Sequence, residues 1–174
     1  MAERLPSGFF TRDVLELAPD LLGKRLVRLI NGERNEYLIS EVEAYRGHED
    51  LACHASKGRT ARTEAMFMEG GHIYMYFIYG MHWMFNIVAG ETGIPQAALI
   101  RSLQGIQGPG RVSRVLKMDK SFYGESLLTS NRIWLEEGKK VRHYHTGQRI
   151  GVDYAGDYWR SREWRFFLSN NHPR

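Results

Sequence analysis

The sequence predicts an α+β fold: a single domain spanning residues 1–174, with a curved, mostly antiparallel β-sheet, flanking helices and a protruding β-hairpin. Two observations predict it. Short runs of apolar and aromatic residues follow one another with turn signals between them, which is typical of antiparallel strands. A chain of 174 residues with 43% hydrophobic residues has the size and composition of one core, and no linker divides it.

The first part of the chain predicts a helix and then a β-hairpin. Apolar spacing indicates a helix across residues 13–18, capped by Thr11 and ended near Pro19. Residues 24–30 alternate charged and apolar side chains like a half-buried strand. The Asn31-Gly32 pair is a strong hairpin signal that leads into a strand at 37–45. The polar loop 46–64 is longer than a passive connection needs.

The second part of the chain predicts further strands around a tyrosine-rich hairpin. Residues 71–88 indicate two strands joined by a tight turn at Tyr79-Gly80-Met81. The remaining elements are a buried strand at 97–101, a glycine loop at 105–110, a basic helix start at 111–117, short strands at 134–137 and 149–152, and a closing strand at 163–168.

Charge and cysteine content restrict the class of protein. A net charge of +4 at pH 7 permits a polyanionic partner without requiring one. The lone Cys53 excludes an internal disulfide framework and suits a reducing compartment. The charged N-terminal residues do not resemble a signal peptide, and no apolar run is long enough to span a membrane. We therefore expect a cytoplasmic protein with no membrane partner.

Two carboxylates and a tyrosine alternate in the strand at 37–45. Alternate side chains share one face of a strand, so Glu41, Glu43 and Tyr45 should lie side by side. Neighbouring acids repel each other and are costly to bury, so either one acid does chemistry or each has a cationic partner. Two solvated acids on an exposed face explain this segment equally well.

The tyrosine-rich hairpin carries a second candidate surface. Tyr74 and Tyr76 should share one face, and such rings can stack on nucleic-acid bases or simply fill a core. Tyr79, beside Gly80 at the turn, should project outward and could act as a wedge between base steps. Arginines that could bind phosphates around it include Arg59, Arg62 and Arg111.

Other catalytic patterns are weak. His48, Asp50 and His54 could bind zinc or iron, but their spacing matches no established metal motif. No Gly-x-Ser-x-Gly motif is present, and Cys53 lacks a nucleophile signature. The loop 105–110 is not a P-loop, and it is equally well interpreted as a phosphate seat or as an ordinary loop before a helix.

The motifs together resemble the alkyladenine (3-methyladenine) DNA glycosylase family, in the form of a bacterial-type member. The match runs in order along nearly the whole chain, and the combination of Glu-Ala-Tyr, the tyrosine hairpin and Gly-Pro-Gly is specific. The matching residues are Phe9-Phe10, 21–27, 41–50, His54, Arg62, 66–68, 74–81, Asn86, Arg101, 108–110 and 149–152.

The resemblance implies a monofunctional DNA glycosylase of base-excision repair. Such an enzyme flips alkylated or deaminated purines out of duplex DNA and hydrolyses the N-glycosidic bond. The implied substrates are 3-methyladenine, 7-methylguanine, hypoxanthine and ethenoadenine. The implied partner is damaged duplex DNA, and the protein is expected to be a monomer. Neither a cofactor nor a metal is expected. No positioned lysine suggests an imine intermediate, so we expect no lyase activity.

The resemblance also assigns roles to individual residues. Glu43 matches the general base that activates water, Arg101 helps to hold that water, and a backbone carbonyl near Ile150 is its third contact. The base pocket comprises Tyr45 and Tyr76 as walls, His54 beside them, and Asn86 as the residue that discriminates against guanine. The implied DNA contacts are Tyr79 and Met81 for intercalation, and Arg59, Arg62, Gly108, Gly110 and Arg111 for the backbone.

Two alternatives remain open at this level. A non-catalytic nucleic-acid-binding protein could use the same basic and aromatic surface. However, a carboxylate at Glu43 would repel DNA and bring such a protein no benefit. A metal-dependent hydrolase could use His48, Asp50 and His54, and its activity would be lost in a chelator.

Overall fold

Nine strands form one β-sheet in this computed structural model, which describes residues 2–169. The strands are β1 (Arg25–Ile30), β2 (Glu33–Arg46), β3 (Ile73–Ile78), β4 (His82–Val88), β5 (Gln96–Leu103), β6 (Ile106–Gln107), β7 (Ile133–Glu136), β8 (His145–Gly147) and β9 (Arg165–Phe167). The main order is β3-β4-β5-β2-β1-β7, with β6 beside β5, and β9 between β2 and β8. Every pairing between these strands is antiparallel, as the sequence predicts.

The long strand β2 connects the two halves of the sheet. Its first half pairs with β1 through a two-residue turn, in which Asn31 and Gly32 both have positive φ. This is the turn that the Asn-Gly pair predicts. Its second half lies between β5 and β9, and its register with β5 shifts twice between Ile39 and Val42. Such irregularities bend a strand and increase its twist, which curves the sheet beside the acidic residues.

The helices are α1 (Ser7–Phe10), α2 (Val14–Leu21), α3 (Pro109–Val115) and α4 (Asp157–Arg160). The first three contribute to the main core on one face of the sheet, whereas Trp159 of α4 packs near Tyr45 in a separate cluster. Helix α2 packs apolar residues spaced three or four apart against β2 and β5, and α3 packs against β4 and β5. Val42, Ala44 and Ile100 of the sheet contribute to this core. Within residues 2–169, none of the helices has both the length and the apolar character needed to cross a bilayer.

The opposite face of β2 and β5 is covered by the chain that follows β2. This chain contains two 3₁₀ helices, His54–Lys57 and Glu64–Phe67, inside and just after the stretch predicted to be a loop. Ala55 and Met66 are buried there against Tyr74 and Ala97 of the sheet. The covering is incomplete, and an open cleft remains over the face that carries Glu43.

The N-terminal cap of α2 differs from the prediction. Asp13, not Thr11, caps the helix, and its carboxylate accepts a hydrogen bond of 2.9 Å from the amide of Leu15. Thr11 already ends α1, where its own amide bonds the carbonyl of Ser7. Pro19 does not end α2 but lies in its last turn, so the helix continues to Leu21.

The strand predicted at 149–152 was wrong. The chain pairs with β9 only through β8, residues 145–147, and then leaves the sheet. Arg149 instead forms a buried ion pair with Asp50, and the chain at 148–152 makes no strand pairing. The strands predicted at 134–137 and 163–168 are confirmed as β7 and β9 within a residue or two at their ends.

Replacement of the cap tests this assignment. Asp13→Ala should lower the free energy of unfolding by about 1 kcal/mol, because the first turn of α2 loses its acceptor. Urea denaturation of the purified variant measures the change. Thr11→Ala is the matched control and should leave the unfolding midpoint almost unchanged. An equal loss in both variants would contradict the cap assignment.

Candidate active site

An open cleft of about 210 Å³ lies on the face of β2 and β5 opposite the main core. Its walls come from the hairpin of β3 and β4, from the segment after β2, and from the turn at 150–154. The lining is mainly apolar and aromatic, with a few polar groups among them, which is typical of a binding site. The polar and aromatic lining residues are Tyr45, His54, Tyr74, Tyr76, Tyr79, Asn86, Arg101 and Tyr154.

Glu43 lies directly beneath this cleft and is completely buried. It does not itself form the cleft surface, but all three of its hydrogen-bond donors do. Its Oε1 accepts from the Tyr45 hydroxyl at 3.0 Å and from Arg101 Nη1 at 3.3 Å, while its Oε2 accepts from the Ile150 amide at 2.7 Å. A carboxylate has about four acceptor positions, so one position on Oε2 is left without a donor from residues 2–169, although the side chain exposes no surface.

The surroundings of Glu43 favour a base that is easily protonated. Burial raises the pKa of Glu43, and this effect outweighs the charge of Arg101, the Ile150 amide and the Tyr45 hydroxyl, all of which lower it. Burial and the charge of Glu43 also raise the pKa of Tyr45 well above its usual value, so this tyrosine stays a hydrogen-bond donor. A carboxylate with a raised pKa is a stronger general base near neutral pH.

Glu41 shares the guanidinium group of Arg101 with Glu43. Arg101 Nε donates to Glu41 Oε1 at 2.9 Å, so this arginine contacts both acids, and Arg165 Nη1 lies 3.6 Å from Glu41 Oε2 as a second positive charge. The register between β2 and β5 shifts opposite Arg101, at the bulge described above. The alternation of Glu41 and Glu43 predicted a shared face, but the sequence alone did not show that they share one partner.

Aromatic rings form the wall beside Glu43. The rings of His54 and Tyr76 are 4.5 Å apart at their centres, and His54 Nδ1 lies 2.9 Å from the Tyr74 hydroxyl. Burial, together with the positive charges of Arg62 and Lys57, lowers the pKa of His54 to about 4. The imidazole is therefore neutral at neutral pH, and the cleft wall carries no charge at this point.

Asn86 is fixed in the floor of the cleft. It is buried, and its amide nitrogen donates to the backbone carbonyls of Tyr74 at 3.2 Å and Met84 at 3.3 Å. These two acceptors keep the side chain in one place. A bound molecule therefore meets a rigid polar group rather than one that can withdraw.

The tip of the β3–β4 hairpin projects beside the cleft. Tyr79 is 87% exposed and Met81 is 65% exposed, which are high values for large apolar side chains. Tyr79 and Gly80 both have positive φ, and the Met81 amide bonds the Ile78 carbonyl, so the chain reverses tightly here. Tyr79 also lines the cleft, which places its ring at the mouth of the site.

The predicted DNA-backbone residues differ in how close they lie to the cleft. Arg62 lies beside the cleft, with its guanidinium 5.6 Å from the Tyr76 ring, whereas the exposed Arg59 pairs with Glu64. Arg111 does not line the cleft but a second groove of about 490 Å³. Gly108 and Gly110 flank Pro109 at the start of α3, and only Pro109 of these three reaches the cleft.

The metal-site alternative fails on the geometry of its own residues. Both oxygens of Asp50 are bound by the guanidinium of Arg149, and they also accept the amides of Arg46 and Ala52. His54 is directed to Tyr74 instead. In the part of the chain that the structure describes, no three histidine, cysteine or acidic side chains converge as metal ligands.

Comparison with known proteins now identifies the family. The model of a family described as methylpurine-DNA glycosylase matches residues 8–107 and 104–172, almost the whole chain. The chain belongs to the methylpurine-DNA glycosylase family. It is therefore an enzyme of DNA repair that hydrolyses N-glycosidic bonds, and DNA is the substrate class of the family.

Relatives of similar length support membership of this family. Proteins provisionally named 3-methyladenine DNA glycosylase occur in Legionella pneumophila (40% identity over 97% of this chain and 96% of the relative) and in Methanocella arvoryzae (39% over 96% and 93%). A third, from Natranaerobius thermophilus, is 36% identical over 97% of this chain and 96% of its own length. The alkyladenine glycosylase resemblance predicted from the motifs is thus confirmed.

Some features of the cleft were not predicted from the sequence. They are the hydrogen bond of the Ile150 amide to Glu43, the bond between Tyr74 and His54, and Tyr154 as a lining residue. The resemblance implied that a carbonyl near Ile150 contacts the water molecule, and the amide contact to the acid is an addition to that expectation. None of these three features leaves a local signal in the sequence.

The raised pKa of Glu43 predicts the acid side of the pH–rate profile. A general base acts in its ionised form, so a rate that depends on Glu43 should fall as the pH drops through a pKa above 4.5, the ordinary value for glutamate. Single-turnover rates of base release over the acid range measure this pKa. The same fall in rate at low pH, the acid limb of the profile, should persist in His54→Gln. Its disappearance in that variant would assign the limb to the imidazole instead.

Proposed function

We propose that the enzyme excises alkylated and deaminated purines from duplex DNA by a water molecule that Glu43 activates. The substrates in this proposal are 3-methyladenine, 7-methylguanine, hypoxanthine and ethenoadenine. One observation carries it: a fully buried carboxylate, with one acceptor position left, lies under an aromatic cleft whose walls supply its three donors. A pure DNA-binding protein would have no use for such an acid.

The cleft suits a base that has left the duplex. Tyr45 and Tyr76 both line it, and their rings can stack on a flipped purine, an interaction of about 1–3 kcal/mol per base. An alkylated purine carries a positive charge that the ring faces attract. Lesions that pair poorly cost less to extrude, which adds selectivity before the base reaches the cleft.

The reaction follows from the position of the free acceptor site. A water molecule that donates to Glu43 Oε2 would lie close to the Ile150 amide, with Arg101 on the same face. As the N-glycosidic bond breaks, its electron pair leaves with the purine and positive charge grows on the sugar. The anionic carboxylate stabilises that charge, and it takes the proton as the water oxygen bonds to the sugar carbon.

The product in this proposal is an abasic site in an intact strand. A lyase reaction through an imine needs an amine at the sugar, and no lysine lines the cleft among residues 2–169. Hydrolysis then ends with the release of the base. Strand cleavage appears only after treatment with alkali or a nuclease.

Selectivity among purines is assigned to the fixed polar groups of the cleft. Because two backbone carbonyls hold Asn86, it cannot make room for the extra exocyclic amine of guanine. The neutral His54 ring packs against Tyr76, and its backbone amide is proposed to contact the purine edge. Normal guanine is thereby disfavoured against purines without that amine. In this proposal 7-methylguanine, which keeps the amine, is excised because its positive charge weakens the N-glycosidic bond.

The DNA contacts are assigned to the surface around the mouth of the cleft. The exposed ring of Tyr79, with Met81 beside it, fills the space that the flipped nucleotide leaves. Arg62 and the chain at 108–110 adjoin the cleft and are proposed to bind phosphates, with Arg59 farther out. A monomer is sufficient for this arrangement, because one chain supplies every group.

Glu43→Gln tests the catalytic assignment. Excision of hypoxanthine from a duplex with a single inosine should be abolished, because an amide cannot accept the proton from water. Binding to the same duplex should be as tight as for the wild type or tighter, because a negative charge is removed near the backbone. Alkali cleavage of the product strand measures excision, and a gel-shift titration measures affinity.

The wild-type enzyme in excess EDTA is the control for this experiment and should retain its full rate. Excision by Glu43→Gln at the wild-type rate would refute the assignment of the base. Loss of wild-type activity in EDTA would favour a metal-dependent hydrolase.

Tyr79→Ser tests whether the Tyr79 ring fills the space that the flipped nucleotide leaves. Affinity for the lesion duplex should weaken by about 1–3 kcal/mol, the energy of a lost stacking contact. Fluorescence anisotropy with a labelled duplex measures it. Tyr144→Ser removes an exposed tyrosine that does not line the cleft and should leave affinity unchanged. Equal affinities of the wild type and Tyr79→Ser would mean that the ring does not enter DNA.

A further inference from the structure

We propose that the buried ion pair of Asp50 and Arg149 is a positioning element that sets the Ile150 amide and the Tyr45 ring against Glu43. Neither residue touches the cleft surface. Their role is therefore to act through the two donors that they place. The inference deepens the proposed function, because its effect on rate depends on Glu43 as the base.

The geometry of the pair leaves it little freedom. Arg149 donates to both oxygens of Asp50, from Nη1 at 2.5 Å and from Nη2 at 2.9 Å, and both side chains are fully buried. The same two nitrogens also bond the carbonyls of Ala44 at 3.0 Å and Trp159 at 3.3 Å. A forked, bidentate pair of this kind fixes orientation as well as distance.

Asp50 is held as firmly as Arg149. Its carboxylate also accepts the amides of Arg46 and Ala52, each at 3.0 Å, so that four donors surround it. The pair therefore joins the end of β2, the segment that follows it, and the turn at 148–151. These are the three pieces of chain that meet at one side of the cleft.

The pair positions two of the hydrogen-bond donors of Glu43. Arg149 precedes Ile150, so anchoring its guanidinium positions the amide that donates to Glu43 Oε2 at 2.7 Å. The guanidinium carbon also lies 4.9 Å from the centre of the Tyr45 ring and 5.0 Å from that of Trp164. Tyr45, placed by this contact, donates its hydroxyl to Glu43 Oε1.

Stability alone does not explain an ion pair at this place. Removing two charges from water is costly, and apolar residues of similar volume often replace a buried pair without loss of stability. One nitrogen, Arg149 Nε, is buried without any hydrogen-bond partner, which adds a further cost. Apolar packing would not fix the orientation of the backbone amide at Ile150, whereas the ion pair does.

The variant Arg149→Lys tests this role. Lysine keeps the charge but cannot form the fork, so the 148–151 turn should shift. The single-turnover rate of base release should fall roughly 10- to 100-fold, the usual cost of a small misplacement at a reacting centre. Affinity for lesion DNA should change by less than about threefold, because Arg149 does not line the cleft and the wall formed by β3, β4 and β5 is unaltered.

The pH profile supplies a readout that a purely structural role would not change. Because the Ile150 amide lowers the pKa of Glu43, weakening that contact should move the acid limb to higher pH. The charged and titratable groups that surround Glu43 are otherwise unaltered. These groups are Arg101 on β5, Glu41 and Tyr45 on β2, Tyr76 on β3, Arg165 on β9, which lies near Glu41, and Tyr154 in the 150–154 turn.

Glu136→Gln is the matched control. Glu136 is another buried carboxylate paired with an arginine, Arg34, but it lies on β7 and does not line the cleft. Its loss should lower the melting temperature while the excision rate stays within about twofold of the wild type. The proposal is overturned if both variants lose rate equally, or if Arg149→Lys loses thermal stability with neither its rate nor its acid limb changed.

A measurement on the unaltered protein covers the case in which Arg149→Lys does not fold. The Ile150 amide should resist hydrogen exchange as strongly as core strand amides, although the Ile150 side chain is half exposed. Exchange as fast as that of an open loop would overturn the proposal. This readout needs no activity, so it also separates failure of the positioning role from failure of the proposed function, which the Glu43→Gln assay reports.

Discussion

The structure depends on a carboxylate that is buried inside a β-sheet protein and on the three hydrogen-bond donors that surround it. Glu43 has no exposed surface, so its anion must be stabilised by groups that the fold delivers to it. Those groups come from three separate parts of the chain: Tyr45 on the same strand, Arg101 on the neighbouring strand, and Ile150 on a turn more than a hundred residues away. The irregular part of β2 lies beside Arg101, and the chain after β8 brings the Ile150 amide to Glu43 Oε2. A carboxylate that is costly to bury is also one that readily takes a proton, and the proposed mechanism rests on that property.

The sequence predicted the features that depend on neighbours in the chain. The Asn31-Gly32 turn, the reversal at Tyr79-Gly80, and the shared face of Glu41 and Glu43 all rest on local geometry, and the structure has each of them. The helix cap was wrong because Thr11 and Asp13 are both good capping residues, and the choice between them depends on the end of α1. The strand at 149–152 was wrong because an apolar pattern of four residues cannot reveal that Arg149 turns toward a partner 99 residues earlier.

In the site, too, the sequence predicted what local patterns determine and missed what long-range contacts determine. The resemblance to a family identified residues that touch the cleft, because such residues recur in motifs. It included Asp50 and Arg149 in its motifs but assigned them no role, because their contact is long-range and leaves no spacing in the sequence. It also implied that Arg111 contacts the DNA backbone, which stays a prediction for a residue that lines a second groove. A list of motif residues therefore describes the surface of the site better than its support.

The backbone at Tyr79 has a consequence for how this protein can change over time. A bulky side chain in the left-handed region is unfavourable, and asparagine or glycine would suit such a reversal much better. The chain thus has an ill-suited residue at an exposed hairpin tip, at a conformational cost of roughly 1–2 kcal/mol. Selection for thermal stability alone would favour replacing it. With the proposed insertion of this ring into DNA, position 79 is a place where stability of the fold and binding of DNA oppose each other, so extra stability is better sought at other positions.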